Sequence, residues 1–203
     1  MAADPTPEDP QRLLVLDGHS MAFRAFYALP AENFATDTGQ HTNAVYGFTA
    51  MLLTMIRQQR PTHVAVAFDL SGPTFRSEEY GEYKAGRSET PAEFAGQIEL
   101  TVKVMEALGI PTLTLEGYEA DDIIGTLATR ARGPVDVVTG DRDLFQLVDD
   151  ASQTRVVYTA RGGVRDPDLV DQAYLEQKYG VSTGDAYADM AVLRGDTSDG
   201  LPG

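Results

Sequence analysis

The chain has 203 residues, of which 42% are hydrophobic, and this is enough to bury one good core, so we expect a single α/β domain. It contains no cysteine, which excludes disulfides, thiolate metal sites and cysteine nucleophiles, and no two of its histidines, His19, His41 and His63, are spaced like a zinc-binding pair. The formal net charge of −15 argues at first sight against a nucleic-acid partner, because phosphate binding normally requires a basic surface.

The first eleven residues, MAADPTPEDPQ, are rich in proline and acidic residues and lack the apolar segment of a signal peptide. We expect residues 1–11 to form a disordered tail. No later run approaches the roughly 18 apolar residues of a membrane span. The sequence therefore predicts no membrane partner and a cytoplasmic location.

Apolar runs that suit strands alternate along the rest of the chain with longer runs of helical period, which is typical of the α/β class. Between two such runs, residues 70–91 lack apolar periodicity, and we expect a long mobile loop or weak helix there. The predicted strands are 12–16, 63–68, 111–115, 135–139 and 154–158, and the predicted helices are 19–29, 43–59, 92–108, 120–132, 167–179 and 184–194.

Five short acidic clusters lie mostly where a predicted strand ends or a predicted helix begins. Three of them follow the apolar runs LLVL, VAVAF and VDVV, so we expect them at the carboxyl edge of a parallel sheet. Carboxylates gathered there repel one another unless hard cations neutralise them, and bound cations would also make the site attractive to phosphate. The clusters thus predict a divalent-metal site, and their members are Asp17, Asp69, Glu119, Asp121, Asp122, Asp141, Asp143, Asp196 and Asp199.

Single clusters have simpler interpretations. In EADD, Glu119 and Asp122 lie one turn apart at a predicted helix start, where an acidic N-terminal cap is an equally good explanation. The pair Asp141 and Asp143 has a spacing common in turns, and Arg142 between them is compatible with a solvent-facing position. Neither a G-x-G-x-x-G nor a G-x-x-x-x-G-K-[ST] loop occurs, so no nucleotide cofactor is implied.

Eight segments resemble, in this order, those of the 5′ nuclease (flap endonuclease) family, to which the N-terminal nuclease domain of bacterial DNA polymerase I belongs. They are LLVLDGHSMAFRAFYALP, TGQHTNAVYGF, PTHVAVAFD, TFRSEEYGEYKAGR, EGYEADD, VTGDRDLFQL, EKYGV and LRGDTSDGLPG. The resemblance spans residues 12–203 and implies a PIN-like fold, with a mostly parallel sheet between helices and a mobile helical arch at about 70–91. It further implies hydrolysis of DNA at 5′ flaps or 5′ ends, or of an RNA primer paired with DNA, by two or more Mg²⁺ or Mn²⁺ ions in replication and repair at the nucleoid.

The resemblance also assigns roles to residues. One ion would be held by Asp17, Asp69, Glu119 and Asp121, and the second mainly by Asp141, Asp143, Asp196 and Asp199, with Asp122 shared. Arg24 and Lys84 would assist catalysis together with the acids Asp17, Asp69, Glu119, Asp121 and Asp141. The DNA contacts would come from Arg24, Phe75, Arg76, Tyr83, Lys84 and Arg87, although a solvated Arg24 and an acidic arch, which carries Glu78, Glu79, Glu82 and Glu89, are the alternatives.

Two departures from the family pattern leave other functions open. Gly200 stands where the family usually has asparagine, so we expect Asp199 to be held less firmly. The chain stops at LPG, where the family continues into a helix-hairpin-helix-like segment that grips duplex DNA, so the chain is either part of a longer protein with further domains or a shortened relative. A catalytically weak or idle domain that binds metal, DNA or a protein, and a PIN-like nuclease acting on RNA, are the alternatives.

Overall fold

The computed structural model describes residues 11–84, 90–197 and 199–203. Residues 1–10 of the predicted tail and Arg87 of the predicted arch lie outside the described residues. Within the described part of the chain, no helix is both long and apolar enough to cross a membrane.

A six-stranded sheet forms the centre of the domain. Its strands are β1 (Leu13–Asp17), β2 (His63–Ala67), β3 (Thr112–Leu113), β4 (Val135–Thr139), β5 (Thr154–Tyr158) and β6 (Asp168–Val170). They lie in the order β3-β2-β1-β4-β5-β6, and every neighbouring pair is parallel except β5 and β6. The register places Asp17 of β1 beside Ala67 of β2, and Leu16 beside Val138 of β4, so the carboxyl ends of the three central strands meet at one edge.

Helices cover both faces of the sheet. They are α1 (Gly18–Ala28), α2 (Asn43–Gln59), α3 (Phe75–Glu79), α4 (Gln97–Ala107), α5 (Ala120–Arg130), α6 (Gln172–Tyr179) and α7 (Gly184–Arg194), with short 3-10 turns at Ala31–Asn33, Ala92–Phe94 and Asp143–Leu147. The predicted α/β class, with a mostly parallel sheet between helices, is confirmed.

Two apolar cores, one on each face, explain why the central strands read as continuous apolar runs. Successive strand residues point to opposite faces, so Leu14 and Leu16 join the core under α1, α2 and α4, whereas Val15 joins the core under α5 and the helices that follow it. All three residues have no exposed surface. Burial on both faces fixes where each central strand ends, and hence where the residues that follow it lie.

The turn from β1 into α1 has no intervening loop. Gly18 is the first residue of α1, and a Cβ atom there would collide with the Phe68 ring and lie 2.7 Å from the carbonyl oxygen of Ala67. Glycine is therefore required at this position so that the helix can start against the neighbouring strand. As a result Asp17, the last residue of β1, is also the N-cap of α1.

Two predicted helices are wrong in their first turns. Residues 168–170 pair antiparallel with β5, and α6 begins only after Asp171, whose carboxylate accepts a hydrogen bond from the Tyr174 N–H at 2.8 Å. The predicted helix 92–108 begins at Gln97, because Gly96 has a φ of +74° and ends the preceding 3-10 turn. The predicted strand 111–115 is reduced to two residues at the edge of the sheet.

Candidate active site

Asp17 is held in place by neutral donors. Its Oδ1 accepts a hydrogen bond from the Ser20 N–H at 3.0 Å, and its Oδ2 accepts one from the Thr139 hydroxyl at the end of β4 at 2.9 Å. The residue is only 6% exposed. The first strand end of the crevice therefore presents a buried carboxylate whose orientation is fixed from two neighbouring elements.

Asp69 and the EADD segment are joined by a helix cap. Asp69 lies two residues beyond β2, and its Oδ1 accepts the Ala120 N–H at 2.6 Å, in the first turn of α5. Asp122 accepts the Glu119 N–H at 2.9 Å in the reciprocal manner of a capping box. The acidic cap considered from the sequence thus exists, and it also fixes Glu119 and Asp121 at the start of α5.

The D-x-D segment is fixed by the turn after β4. The Asp141 N–H donates to the Thr139 hydroxyl at 2.9 Å, and the Gly140 N–H donates to the Ser20 hydroxyl at 2.9 Å. Asp141 in turn accepts the Asp143 N–H at 3.0 Å. Thr139 and Ser20 therefore connect the carboxylates that follow β1 with those that follow β4.

The GDTSD segment closes on itself without the asparagine of the family pattern. The backbones of Asp196 and Leu201 exchange hydrogen bonds of 2.9 and 2.7 Å, and Asp199 is only 8% exposed. Gly200 has a φ of +78°, a conformation that glycine adopts freely and asparagine tolerates. Glycine therefore satisfies the backbone requirement of this turn, while the looser hold on Asp199 stays a prediction.

Seven of the nine predicted acids line one cavity of about 770 Å³ at the carboxyl edge of the sheet: Asp17, Asp69, Glu119, Asp121, Asp141, Asp143 and Asp196. The remaining two, Asp122 and Asp199, line an adjoining cavity of about 780 Å³ beneath residues 75–84. We call these the carboxylate cavity and the arch cavity. Lys84, Glu119, Asp121, Asp141 and Asp143 line both, so the two cavities meet along these side chains.

Three acids of the carboxylate cavity have raised pKa values. Burial, followed by the nearby charges of Asp69 and Asp141, raises the pKa of Asp17 to about 6. Burial and the charges of Asp17, Asp141 and Asp69 raise the pKa of Asp121 to about 8. The pKa of Asp143 rises to about 6, again mainly because of burial. These carboxylates are close enough to repel one another, which is the situation that a bound cation relieves.

The chemistry of these side chains suits a hard divalent cation, since every donor is a carboxylate oxygen. Within the described ranges, no three acidic or histidine side chains already stand close enough together to enclose an ion. Rotation of carboxylates about their χ angles is therefore needed to complete a coordination shell. In their donor type and in their placement around one cavity, the residues present fit such an ion.

Two cations and a phenol of the predicted arch are bonded to the start of α5. Arg76 donates to both oxygens of Asp122, at 2.7 and 2.9 Å, in a bidentate salt bridge. The Lys84 ammonium and the Tyr83 hydroxyl both donate to Oε2 of Glu119, at 2.9 and 3.0 Å. The hydrogen bonds from Arg76 lower the pKa of Asp122, while burial, followed by the charge of Glu119, raises the pKa of Tyr83.

The other predicted DNA-binding residues differ in position. Phe75 is 40% exposed and packs against the ring of Tyr118 at the rim of the arch cavity, with the Arg76 guanidinium over its face. The guanidinium of Arg24 lies beside Gly163, in the loop after β5, and Arg24 lines neither cavity. The structure therefore brings Phe75, Arg76, Tyr83 and Lys84 together, and it places Arg24 elsewhere.

Several residues that the sequence analysis did not single out also line the carboxylate cavity. Arg142, which was compatible with a solvent-facing position, lines it and donates from Nε to the Tyr158 hydroxyl at 3.2 Å. Arg194, at the end of α7, and His19 line it as well. The only signals available in the sequence were the placement of Arg142 between two acids and that of His19 two residues after Asp17.

The family model described as the 5′-3′ exonuclease, N-terminal resolvase-like domain, matches residues 12–180. The chain belongs to this exonuclease family. The resemblance inferred from the eight segments is thereby confirmed. The exonuclease domain is 56% identical over 194 residues to DNA polymerase I of Mycobacterium tuberculosis strain H37Rv, an alignment that covers 94% of the chain and 21% of the polymerase. The chain thus spans about a fifth of the length of the curated relatives that it matches.

Solved structures show the same fold. The T5 D15 protein co-crystallised with metal ions superposes with a TM-score of 0.75 at 17% identity, covering 95% of the chain and 69% of that protein. The bacteriophage T5 D15 flap endonuclease in complex with DNA and metal ions superposes with a TM-score of 0.69 at 18% identity, with coverage of 95% and 69%. The predicted PIN-like fold of the flap nucleases is confirmed.

Proposed function

We propose that this exonuclease domain is a divalent-metal-dependent hydrolase of DNA that acts on 5′ ends and 5′ flaps, in the removal of flaps and primers during replication and repair at the nucleoid. The observation that carries the proposal is the convergence of seven carboxylates in one cavity at the carboxyl edge of the sheet, with Lys84 reaching into it. The relatives that are DNA polymerases, and the T5 structure described as a flap endonuclease with DNA and metal ions, support the same substrate class.

The acids of the carboxylate cavity would hold two Mg²⁺ or Mn²⁺ ions. When bound, such a pair supplies a hydroxide-like nucleophile at neutral pH and offsets the charge that develops on the phosphate. We assign Asp17, Asp69, Glu119 and Asp121 to one ion and Asp141, Asp143 and Asp196 to the other, which Asp199 would join from the adjoining arch cavity. Asp122 and Arg76 are bonded to each other, so each would reach an ion or a DNA phosphate only after their pair opens.

The remaining side chains orient the carboxylates and the substrate. Thr139 and the Ser20 amide fix the direction of Asp17, and the Ala120 amide fixes that of Asp69. Lys84, Arg142 and Arg194 line the same cavity and would bind the phosphates of the DNA strand. The two guanidinium groups and the ammonium thus place three cations among the carboxylates of this cavity.

One contact favours the second candidate function, a catalytically idle binding domain. Glu119 already accepts hydrogen bonds from Lys84 and Tyr83, so part of the proposed ligand set is occupied by donors of the protein itself. In an active enzyme these donors move from Glu119 to the substrate when DNA and metal bind. In an idle domain they stay in place, and no cleavage follows.

Cleavage of a labelled duplex with a single-stranded 5′ flap tests the proposal. We expect cutting near the flap junction with Mg²⁺ or Mn²⁺, none with chelator, and none with Asp141→Ala, because Asp141 is assigned to the second ion and its charge also acts on Asp17 and Asp121 of the first group. The matched control is Asp189→Ala, which removes an exposed acid of α7 that lines neither cavity. Metal-independent cutting, or equal activity of Asp141→Ala, contradicts the proposal, and faster cutting of an RNA flap than of a DNA flap redirects it to RNA.

A further inference from the structure

His19 lies in the carboxylate cavity between two of the proposed ligand acids. It is the second residue of α1, two residues after Asp17, and its ring packs edge-on against Phe68 with centroids 5.7 Å apart. The Asp69 backbone N–H reaches Nδ1 of His19 at 3.1 Å. The side chain is 26% exposed, so the ring is partly enclosed but reaches the cavity.

The contact with the Asp69 amide fixes which ring nitrogen carries the proton. An amide N–H can only donate, so Nδ1 must present a lone pair, and the proton of the neutral ring lies on Nε2. The opposite assignment would place two N–H groups head to head at 3.1 Å and would rely on the carboxylate of Asp69, whose nearest oxygen is 3.5 Å from Nδ1. The shorter, aligned amide contact therefore decides the tautomer.

The Nε2–H group is accessible from the cavity. No described residue forms a hydrogen bond with it, and the one other recorded contact of His19 among the described residues is with the Phe23 ring, at a centroid distance of 6.5 Å. If Nε2 of His19 were fully buried, it would be a buried polar atom without a hydrogen-bond partner. The one such side-chain atom among the described residues is the hydroxyl oxygen of Tyr187, so Nε2 of His19 is at least partly exposed. A donor with no protein acceptor thus opens into a cavity whose walls are largely carboxylates.

Such a nitrogen does not suit metal ligation. With Nδ1 engaged by an amide and Nε2 protonated, the ring has no free lone pair to offer an ion. It is instead a neutral hydrogen-bond donor. Placed beside Asp17 and Asp69, a neutral donor can bind an anionic oxygen without introducing a charge that would compete with cations for these carboxylates.

We propose that His19 is a substrate-positioning residue that donates a hydrogen bond from Nε2 to a non-bridging phosphate oxygen of the nucleic-acid strand in the carboxylate cavity. The proposal rests on the nuclease function proposed above, since that function supplies the phosphate. It adds a neutral donor from α1 to the cations Lys84, Arg142 and Arg194, which line other walls of the same cavity.

Two substitutions distinguish the contribution of Nδ1 of His19 from that of Nε2. In His19→Asn the amide oxygen falls near the position of Nδ1, so it can still accept the Asp69 N–H, but the donor at Nε2 is lost. In His19→Gln the side-chain NH₂ falls near the position of Nε2, so the donor is kept while the Asp69 contact is weakened. His63→Asn is the matched control, because His63 is exposed at the start of β2 and lines neither cavity.

The measurements are the Kd for flap DNA with Ca²⁺ in place of Mg²⁺, kcat and KM with Mg²⁺, and Tm for each variant. Because a hydrogen bond to a charged group is lost, we expect His19→Asn to weaken DNA binding about tenfold or more and to raise KM, and His19→Gln to stay within about threefold of wild type. DNA binding by His19→Asn that equals that of wild type would overturn the proposal. A larger loss of binding in His19→Gln than in His19→Asn, or equal losses in both, would also overturn it, because these results would mean that His19 positions Asp69 or packs through its ring.

The outcome also distinguishes this proposal from the proposed function. A wild-type protein that neither binds nor cuts flap DNA refutes the function, and with it the phosphate that His19 is proposed to contact. A wild-type protein that cuts flap DNA while His19→Asn binds it equally well refutes only the role of His19. The Tm values establish in either case that the variants are folded.

Discussion

The two edges of the central sheet treat buried carboxylates in opposite ways. At the amino edge, Asp136 of β4 is fully buried and is paired with two guanidinium groups, Arg12 at 2.9 Å and Arg155 at 2.6 Å. At the carboxyl edge, Asp17 of the neighbouring strand β1 is almost as buried, but its partners among the described residues are an amide and a hydroxyl. Among the described residues, Asp136 therefore has cationic partners, whereas the hydrogen-bond partners of Asp17 are neutral.

This difference shows which acids are structural. A buried charge is tolerated when it is paired and hydrogen-bonded, and this is the arrangement around Asp136. Asp17 stands in a group of acids that raise one another's pKa, and its hydrogen bonds from Ser20 and Thr139 do not offset the cost of burial, so a cation from outside would stabilise its charge. The number of acidic residues in the chain does not distinguish Asp136 from Asp17, whereas the partners of these two acids do.

The largest expected effect is on cleavage by Asp17→Asn. The substitution keeps the size of the side chain and one oxygen that can accept the Ser20 N–H, but its NH₂ group cannot accept from the Thr139 hydroxyl. Because it also removes the charge, we expect flap cleavage to fall by about 100-fold or more. Folding should not suffer, because the raised pKa of Asp17 corresponds to roughly 3 kcal/mol of destabilisation of the metal-free protein above pH 6. Single-turnover cleavage and urea unfolding without metal measure the two effects, and a variant that is both active and less stable contradicts the comparison.

The substitution of aspartate by asparagine at the amino edge should lower stability and leave cleavage unchanged. Asp136→Asn weakens two charge-assisted contacts with arginine, each worth about 1.5–3 kcal/mol, so we expect the free energy of unfolding to drop by about 3 kcal/mol. Cleavage by the remaining folded protein should be unchanged, because Asp136 lies at the opposite edge from the carboxylate cavity. Stability from urea unfolding and activity per folded molecule provide the test, and a stable Asp136→Asn protein would show that its arginines are dispensable.

The metal-free protein should lose stability as the pH rises, and added metal should restore that stability. The folded-state pKa values of Asp17, Asp121 and Asp143 are raised, to about 6, 8 and 6, so their contribution to stability is complete below about pH 4 and is lost as the pH rises towards 8. Burial lowers the pKa of His19, which acts in the opposite direction in this range, but one histidine opposes three acids.

Thermal unfolding of the metal-free protein between pH 5 and pH 8 measures this effect. We expect Tm to decrease by at least about 5 °C over this range, since about 2–4 °C corresponds to 1 kcal/mol in a chain of this size. Added Mg²⁺ should restore Tm at pH 8 and change it little at pH 5. A metal-free Tm that stays constant or rises with pH contradicts the picture of uncompensated acids.

The smallest expected effect concerns the paired acid of the arch cavity. Arg76→Ala and Asp122→Ala each break the bidentate salt bridge, and because the residues act together we expect a coupling free energy of about 1–2 kcal/mol in their double-mutant cycle. Hydrogen exchange of residues 70–84 should increase in both variants, while Mg²⁺ affinity is retained. Arg57→Ala, at an exposed position of α2, is the control, and a loss of Mg²⁺ affinity in Asp122→Ala alone would restore Asp122 as a shared ligand.

The sequence predicted the central strands and the acids that follow them because both depend on local patterns. A strand buried on two faces is a continuous apolar run, and an acid stands at its last residue, as Asp17 does, or two residues beyond it, as Asp69 and Asp141 do. The short strand β6 escaped prediction because DLV is too brief to show a period and directly precedes a helix. Gly96 interrupted a predicted helix through its backbone conformation, which a helical pattern does not reveal.

The partners of the site residues could not be predicted in the same way. Arg76 and Asp122 are 46 residues apart, and His19 and the Asp69 amide are 50 apart, so no local spacing indicates either contact. The role of Arg142 in the cavity wall likewise depends on Tyr158 of a different strand. The acids of the site were therefore predictable as a set, whereas which of them are paired with protein cations required the fold.

Calorimetric titration of the metal-free protein with Mn²⁺ at about pH 7.5 tests the central claim most directly, with Asp17→Asn and Asp136→Asn measured alongside. We predict saturable binding of about two ions to wild type, a clear loss of affinity in Asp17→Asn, and wild-type binding in folded Asp136→Asn. Absence of binding to folded wild-type protein, or an equal loss in both variants, would contradict the proposal that the carboxyl edge, and not buried acid in general, holds the metal.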